Sequence, residues 1–152
     1  NVATGVLPVY EDGTVVLVGQ QRFAFGNYSW EMPEGGAPLG EDPFEGVQRE
    51  LAEEAGLTAD HWVRALSVEL SNSITTEMAH TWIAWGLHPH PTAPDPTEAL
   101  SVVRTPFKTL LDEIGRGAVK DSLTVATAYR VYHMARSGEL PPALARALVG
   151  TV

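Results

Sequence analysis

The segment from Asp42 to Gly56, DPFEGVQRELAEEAG, carries its own start and stop signals and fixes a helix before any other part of the chain is interpreted. Asp42 has the short acceptor side chain of an N-cap, Pro43 suits the first helical position, and Glu45 stands at the capping-box spacing. Gly56 is the natural stop, since glycine enters the left-handed region without strain. At about 100° per residue, Phe44, Val47, Leu51 and Ala55 share one apolar arc. Glu50, Glu53 and Glu54, three and four residues apart, share another beside it. One side then seats the helix on a core while the other faces solvent or a cleft.

Two readings of the acidic arc are open on spacing alone. Glutamate is a good helix former, and an acidic solvated face is common. Alternatively the three carboxylates hold a hard cation such as Mg²⁺, whose preferred ligands are carboxylate and water oxygens, and a helix is a firmer mount for them than a loop.

The rest of the chain reads as strands and helices around this segment. VATGVLPVY and TVVLVGQ predict two strands joined as a hairpin through the turn at Glu11–Gly13. A polar and aromatic loop follows over QRFAFGNYSWEMPEGGAPLG, where Pro and Gly exclude a long helix. After the helix, HWVRALSVELS and MAHTWIAWGL have strand composition, HPHPTAPDPTEA is a proline-rich loop, and LSVVRTPF is a short strand. FKTLLDEI, SLTVATAYRVYHMARSG and PPALARALVG read as helices. The expected fold class is α/β, with a mixed sheet carrying helices on its faces and no regular βαβ repeat.

With 152 residues, 44% of them hydrophobic, the chain is expected to form one domain over 1–152. Its formal net charge of −9 disfavours a nucleic acid polymer or an anionic membrane as partner. A small phosphate ligand stays open, because a bound dication reverses the local field. Cysteine is absent, which removes disulfides, thiolate catalysis and thiolate metal sites. No leader or membrane-length apolar run is visible, and a cytoplasmic setting is expected.

The spacing around the acidic helix then becomes specific. From Gly35 the chain runs five residues to Glu41, seven to Arg49 and Glu50, then Leu51, Glu53, Glu54, Gly56 and Leu57. All nine defining positions over residues 35–57 match, and the stretch resembles a complete Nudix box, the loop–helix–loop signature of Nudix (MutT-like) hydrolases. The resemblance implies a Nudix-type α/β/α sandwich and Mg²⁺, with Mn²⁺ the alternative. It implies that Glu50, Glu53 and Glu54 hold the metal, joined by the backbone carbonyl of Glu34. Arg49 would orient a box carboxylate, and Glu41 would add an acidic contact near the metals. Without metal, Glu41 and Asp42 simply favour the helix dipole. The implied reaction is attack of an activated water on a phosphorus of a nucleoside diphosphate linked to a group X.

Upstream, GQQRFAFGNYSWEMPEGG is similar to the approach in ADP-ribose pyrophosphatases and nucleotide-sugar hydrolases, with Gln21, Arg22, Trp30, Glu31 and Pro33 in matching places and Met32 and Glu34 departing. The resemblance implies substrate contacts from Arg22 and Glu31. Tyr28 and Trp30 either stack on the substrate or pack, Tyr28 being the first choice of platform if Trp30 is buried. The proline-rich loop is where this group often supplies a further catalytic glutamate. Glu98, with Asp95 behind it, is that residue here, or else it merely begins the next segment. Members of the group often dimerise, so a homodimer is expected. Hydrolysis of nucleoside triphosphates, oxidised nucleotides or dinucleoside polyphosphates is the enzymatic alternative, and a non-catalytic nucleotide-sensing domain the other. Trp82, Trp85 and His80 read as structural residues of a strand.

Overall fold

Among the described residues, runs of aliphatic and β-branched residues build seven strands, and segments of 3.6-residue periodicity build four α-helices packed on them. The structure is a computed structural model and describes residues 2–22, 27–91 and 101–150, without the side chains of residues 21, 22 and 27. The strands are β1 (Val2–Pro8), β2 (Thr14–Arg22), β3 (Asn27–Glu31), β4 (Glu34–Ala37), β5 (Leu57–Glu69), β6 (Met78–Pro89) and β7 (Ser101–Pro106). The helices are α1 (Pro43–Glu50), α2 (Phe107–Gly115), α3 (Ser122–Arg136) and α4 (Pro142–Val149). A π turn over Leu51–Ala55 continues α1.

The strands form two sheets where the sequence suggested one. A four-stranded sheet has the order β4-β1-β6-β5, and a three-stranded antiparallel sheet the order β3-β2-β7. Mixed character comes from the parallel pairing of β1 with β6, from Ala3 opposite Ala79 to Pro8 opposite Ala84. The turn at Glu11–Gly13 forms as expected, with Tyr10 O accepting from Gly13 N at 3.0 Å and Tyr10 N donating to Thr14 O at 2.8 Å. The hairpin does not: a single bridge, Val9 to Val15, joins the two strands. Both edges of β1 are taken, by β4 and β6, so β2 leaves to found the second sheet. The expected loop over residues 21–40 is also corrected, since it contains β3 and β4. Glycine and proline exclude a helix there but tolerate short strands at sheet edges.

Alternation along the strands sorts the core onto two faces. Val6, Val16, Trp82 and Ala84 point to one side, where they meet Val47 and Leu51 of the acidic helix. Leu7, Val15, Leu17 and Ile83 point to the other, where α2, α3 and α4 supply Leu110, Ala128, Val131, Met134 and Leu144. Sheets between two helical layers give the expected α/β/α sandwich. Trp82 is buried as a structural residue, and Trp85 stacks on His61 at 5.3 Å. His80 is held by Ser67 Oγ at 2.8 Å.

The C-terminal helices are tied to the sheet edge through a bulge. Pairing of β5 with β6 slips between Arg64 and Leu66, and Arg130 Nε donates to the Ala65 carbonyl at 3.1 Å. Glu139 then receives both terminal nitrogens of Arg130, at 2.7 and 3.2 Å.

Candidate active site

The helix that carries the acidic arc starts as its sequence dictates. Asp42 caps it, Oδ1 accepting from Phe44 N at 3.0 Å, with Pro43 in the first turn. Its apolar arc holds, with Val47 and Leu51 buried and Phe44 and Ala55 packed beside them. Its second half departs from the regular helix expected: Leu51–Ala55 is a π turn, closed by Gly56 at φ 66°. Such widened turns recur at functional sites, and this one carries Glu53 and Glu54.

Close approach of this helix to β4 depends on the small residue at position 35, while Gly46 adds only ordinary contact. A methyl group on Gly46 would sit 3.4 Å from both the Ala37 side chain and Glu41 Oε1, and one on Gly35 would strike the Glu50 carboxylate. Glu50 therefore lies directly on the Gly35 backbone. Glu54 follows suit one residue away, its Oε2 accepting from Glu34 N at 3.1 Å. Two helix carboxylates are thereby anchored on consecutive backbone units of β4. Arg49 pairs with Glu41 and stands 3.9 Å from Glu50 Oε1 and 3.9 Å from Glu53 Oε1. Glu53 is the outward member, with 60% of its side chain exposed.

A second group of acids lies at the other side of the Glu34 backbone. Carboxylate oxygens of Glu31, Glu34 and Asp121 lie within 4.8 Å of one another, and Glu31 is buried. Asp121 caps α3, accepting from Thr124 N at 3.1 Å. Thr124 Oγ1 accepts from Met32 N at 3.1 Å and lies 2.7 Å from Asp121 Oδ2 and 3.3 Å from Glu34 Oε2. Burial, then the facing Asp121 and the charge on Glu31, push the Glu34 carboxyl up to about 11. Three acids so close cannot all ionise on their own; a hard dication with oxygen ligands resolves the conflict, so the cluster can coordinate a divalent metal.

Among the residues singled out from sequence, Glu31, Glu34, Glu41, Arg49, Glu50, Glu53 and Glu54 come together along β3, β4 and the acidic helix. Tyr28 and Trp30 lie on β3 rather than in a loop, their rings 5.4 Å apart and nearly edge-on. Trp30 packs against the core, and Tyr28 is 45% exposed. The Arg22 side chain and Glu98, with Asp95, lie outside the described residues. Sequence reasoning missed Asp121 and the Glu34 side chain. Asp121 sits in DSLT, an N-cap signal at the start of the predicted helix, and an N-cap acid reads as structural until its neighbours are known.

A family model described as the NUDIX domain matches residues 1–122. The chain belongs to that family. An ADP-ribose pyrophosphatase of Mycobacterium tuberculosis is 26% identical over 133 residues, covering 86% of this chain and 64% of that protein. A methanol dehydrogenase activator of Bacillus methanolicus is 28% identical over 125 residues, covering 81% of this chain and 68% of that one. This chain thus spans about two thirds of the length of each. A crystal structure of an ADP compounds hydrolase superposes with a TM-score of 0.77 over 90% of this chain and 74% of the other. At 21% identity that likeness shows the Nudix fold.

Proposed function

We propose that this chain is a divalent-metal-dependent pyrophosphohydrolase that cleaves the diphosphate of ADP-ribose or of a related nucleoside diphosphate linked to X. The observation that carries the reading is the seating of Glu50 and Glu54 on the Gly35 and Glu34 backbone. Helix acids are gathered there against the strand that also contributes to the Glu31–Glu34–Asp121 cluster. Such crowding of carboxylates repels a polyphosphate unless cations intervene, so a binding-only domain has no use for it.

Glu50 and Glu54 hold the Mg²⁺ or Mn²⁺, with Glu53 and the Glu34 carbonyl as further ligands and Glu41 nearby. When bound, the cation neutralises the diphosphate and lowers the pKa of a coordinated water. Arg49 keeps Glu41, Glu50 and Glu53 in fixed relation. Glu31, Arg22, Tyr28 and Trp30 recognise the substrate, and Glu98 positions the water, an assignment resting on sequence. In the reaction a water oxygen bonds to one phosphorus, the bridging P–O bond breaks, and the attacking water's proton is lost to solvent or a carboxylate. ADP-ribose gives AMP and ribose phosphate. The 26% identity to a protein named as an ADP-ribose pyrophosphatase supports the choice of substrate. The reading includes a cytoplasmic setting and a homodimer; among the described residues no helix is long and apolar enough to cross a membrane.

The test is incubation with Mg²⁺ and a panel of ADP-ribose, sugar nucleotides, dinucleoside polyphosphates and nucleoside triphosphates, with products separated by chromatography. AMP plus ribose phosphate is expected from ADP-ribose, and Glu54→Gln should lower the rate by about 10²-fold or more with an unchanged fold. Cleavage of triphosphates alone supports the alternative substrate class, and wild-type turnover in Glu54→Gln removes Glu54 from the mechanism.

A further inference from the structure

Among the described residues, one buried side-chain polar atom has no hydrogen-bond partner, the Thr4 hydroxyl oxygen on β1. Thr4 is wholly buried, and a hydroxyl taken from water without a partner destabilises the fold. Valine has nearly the same shape and suits a strand equally well, so packing alone would be better served by valine at this position. The hydroxyl needs a reason of its own.

Register supplies its surroundings. Thr4 lies directly opposite Gly35 in the antiparallel pairing of β1 with β4. Residues so opposed point to one face, with Cβ positions about 4.5–5.5 Å apart. At Gly35 that position is filled by Glu50, whose Cδ would stand 2.3 Å from a methyl group there. The rest of β1 agrees on the face: Val6 packs with Val47 and Leu51 of the acidic helix, whereas a methyl group on Gly5 would meet Met32 and Glu34 on the other side. On its second flank Thr4 is opposite His80, whose Nδ1 is engaged by Ser67 Oγ at 2.8 Å and Arg64 Nη1 at 3.1 Å. The buried hydroxyl is therefore a neighbour of the Glu50 carboxylate, and a carboxylate with two accepting oxygens takes a further donor whatever else it holds.

We propose that Thr4 is a positioning residue of the metal site: its hydroxyl is the donor that the Glu50 carboxylate takes up when Glu50 binds a divalent cation. The inference rests on the reading of Glu50 as a metal ligand. Hydrogen bonds from behind orient ligating carboxylates and raise metal affinity. Without metal the same hydroxyl is surplus and detracts from stability. Thr4 thus acts on folding and on metal binding with opposite sign.

That opposition is the test, with metal binding read from loss of the free Mn²⁺ EPR signal and stability read as Tm in EDTA. Thr4→Val should equal or exceed the wild type in Tm and bind Mn²⁺ roughly tenfold more weakly. Thr4→Ser keeps the hydroxyl and drops a methyl group, so it should show the reverse order, a lower Tm with wild-type Mn²⁺ affinity. Thr4→Ala replaces Thr4→Val if that protein does not fold. In a Glu50→Ala background Thr4→Val should add no further loss of affinity, because two residues acting through one contact are not additive. Wild-type Mn²⁺ affinity in Thr4→Val, an equal loss in Thr4→Ser, or a full additional loss in the double variant overturns the proposal and leaves Glu50 a ligand. Unchanged Mn²⁺ affinity in Glu50→Ala itself removes Glu50 as a ligand, and the proposal with it.

Discussion

Glu50 occupies the space that any side chain on residue 35 would need: a methyl group there would lie 2.3 Å from Glu50 Cδ and 2.6 Å from Oε1. Gly35→Ala must therefore displace the carboxylate, the strand or the helix. Because catalysis tolerates misplacement of about 1 Å poorly, a rate loss of about 10²-fold is expected, measured as kcat on the best substrate of the panel. Near-wild-type kcat in a folded Gly35→Ala protein would separate Glu50 from the chemistry.

Glu34 makes stability depend on pH when no metal is present. Its carboxyl is raised to about 11 from an ordinary 4.5, chiefly by burial and then by Asp121. Below about 4.5 it is protonated both folded and unfolded and costs nothing. As pH rises from there toward 11, the unfolded chain sheds the proton that the native state keeps, so stability falls. In EDTA, Glu34→Gln should raise Tm at pH 8 and leave it little changed at pH 4. Added Mg²⁺ should raise the wild-type Tm in proportion to the logarithm of its concentration. A Tm indifferent to Mg²⁺ would mean that these acids take no cation.

Glu139 acts in the opposite sense. Hydrogen bonds from Arg130 and then from Ser137 hold its carboxyl down to about 2. Its contribution is complete above about 4.5 and fades as pH falls toward 2. Urea midpoints of the wild type and Glu139→Gln should differ most at pH 6 and converge near pH 2. A constant gap across that range would contradict the ion pair as its source.

Gly13 sits under α4 with φ 83°, and a methyl group there would meet the Ala147 carbonyl oxygen at 2.0 Å. Gly13→Ala is expected to lose roughly 2–3 kcal/mol of stability by denaturant titration, from strain and collision together. Activity per folded molecule should persist, since the turn packs on Ala147 of α4 and carries none of the candidate site residues.

Most of this architecture is written locally. The cap at Asp42, the stop at Gly56 and the arc of Val47 and Leu51 need only neighbours in sequence, and they stand as read. Strand partners are another matter. Whether Val2–Pro8 pairs with Thr14–Arg22 depends on competition from β4 and β6, which no local pattern records. The same distance hid Asp121: it meets Glu31 and Glu34 across some ninety residues, through an N-cap whose local role already explained it. The π turn was equally invisible, because one widened turn leaves the hydrophobic spacing intact.

The parallel pairing of β1 with β6 has a consequence for synthesis. Ala3–Pro8 are among the first of these strand residues to leave the ribosome, yet their partners at Ala79–Ala84 emerge some seventy-five residues later. During that interval the strand has a neighbour available on one edge alone, β4, and its aliphatic run is open to chaperones or to other nascent chains.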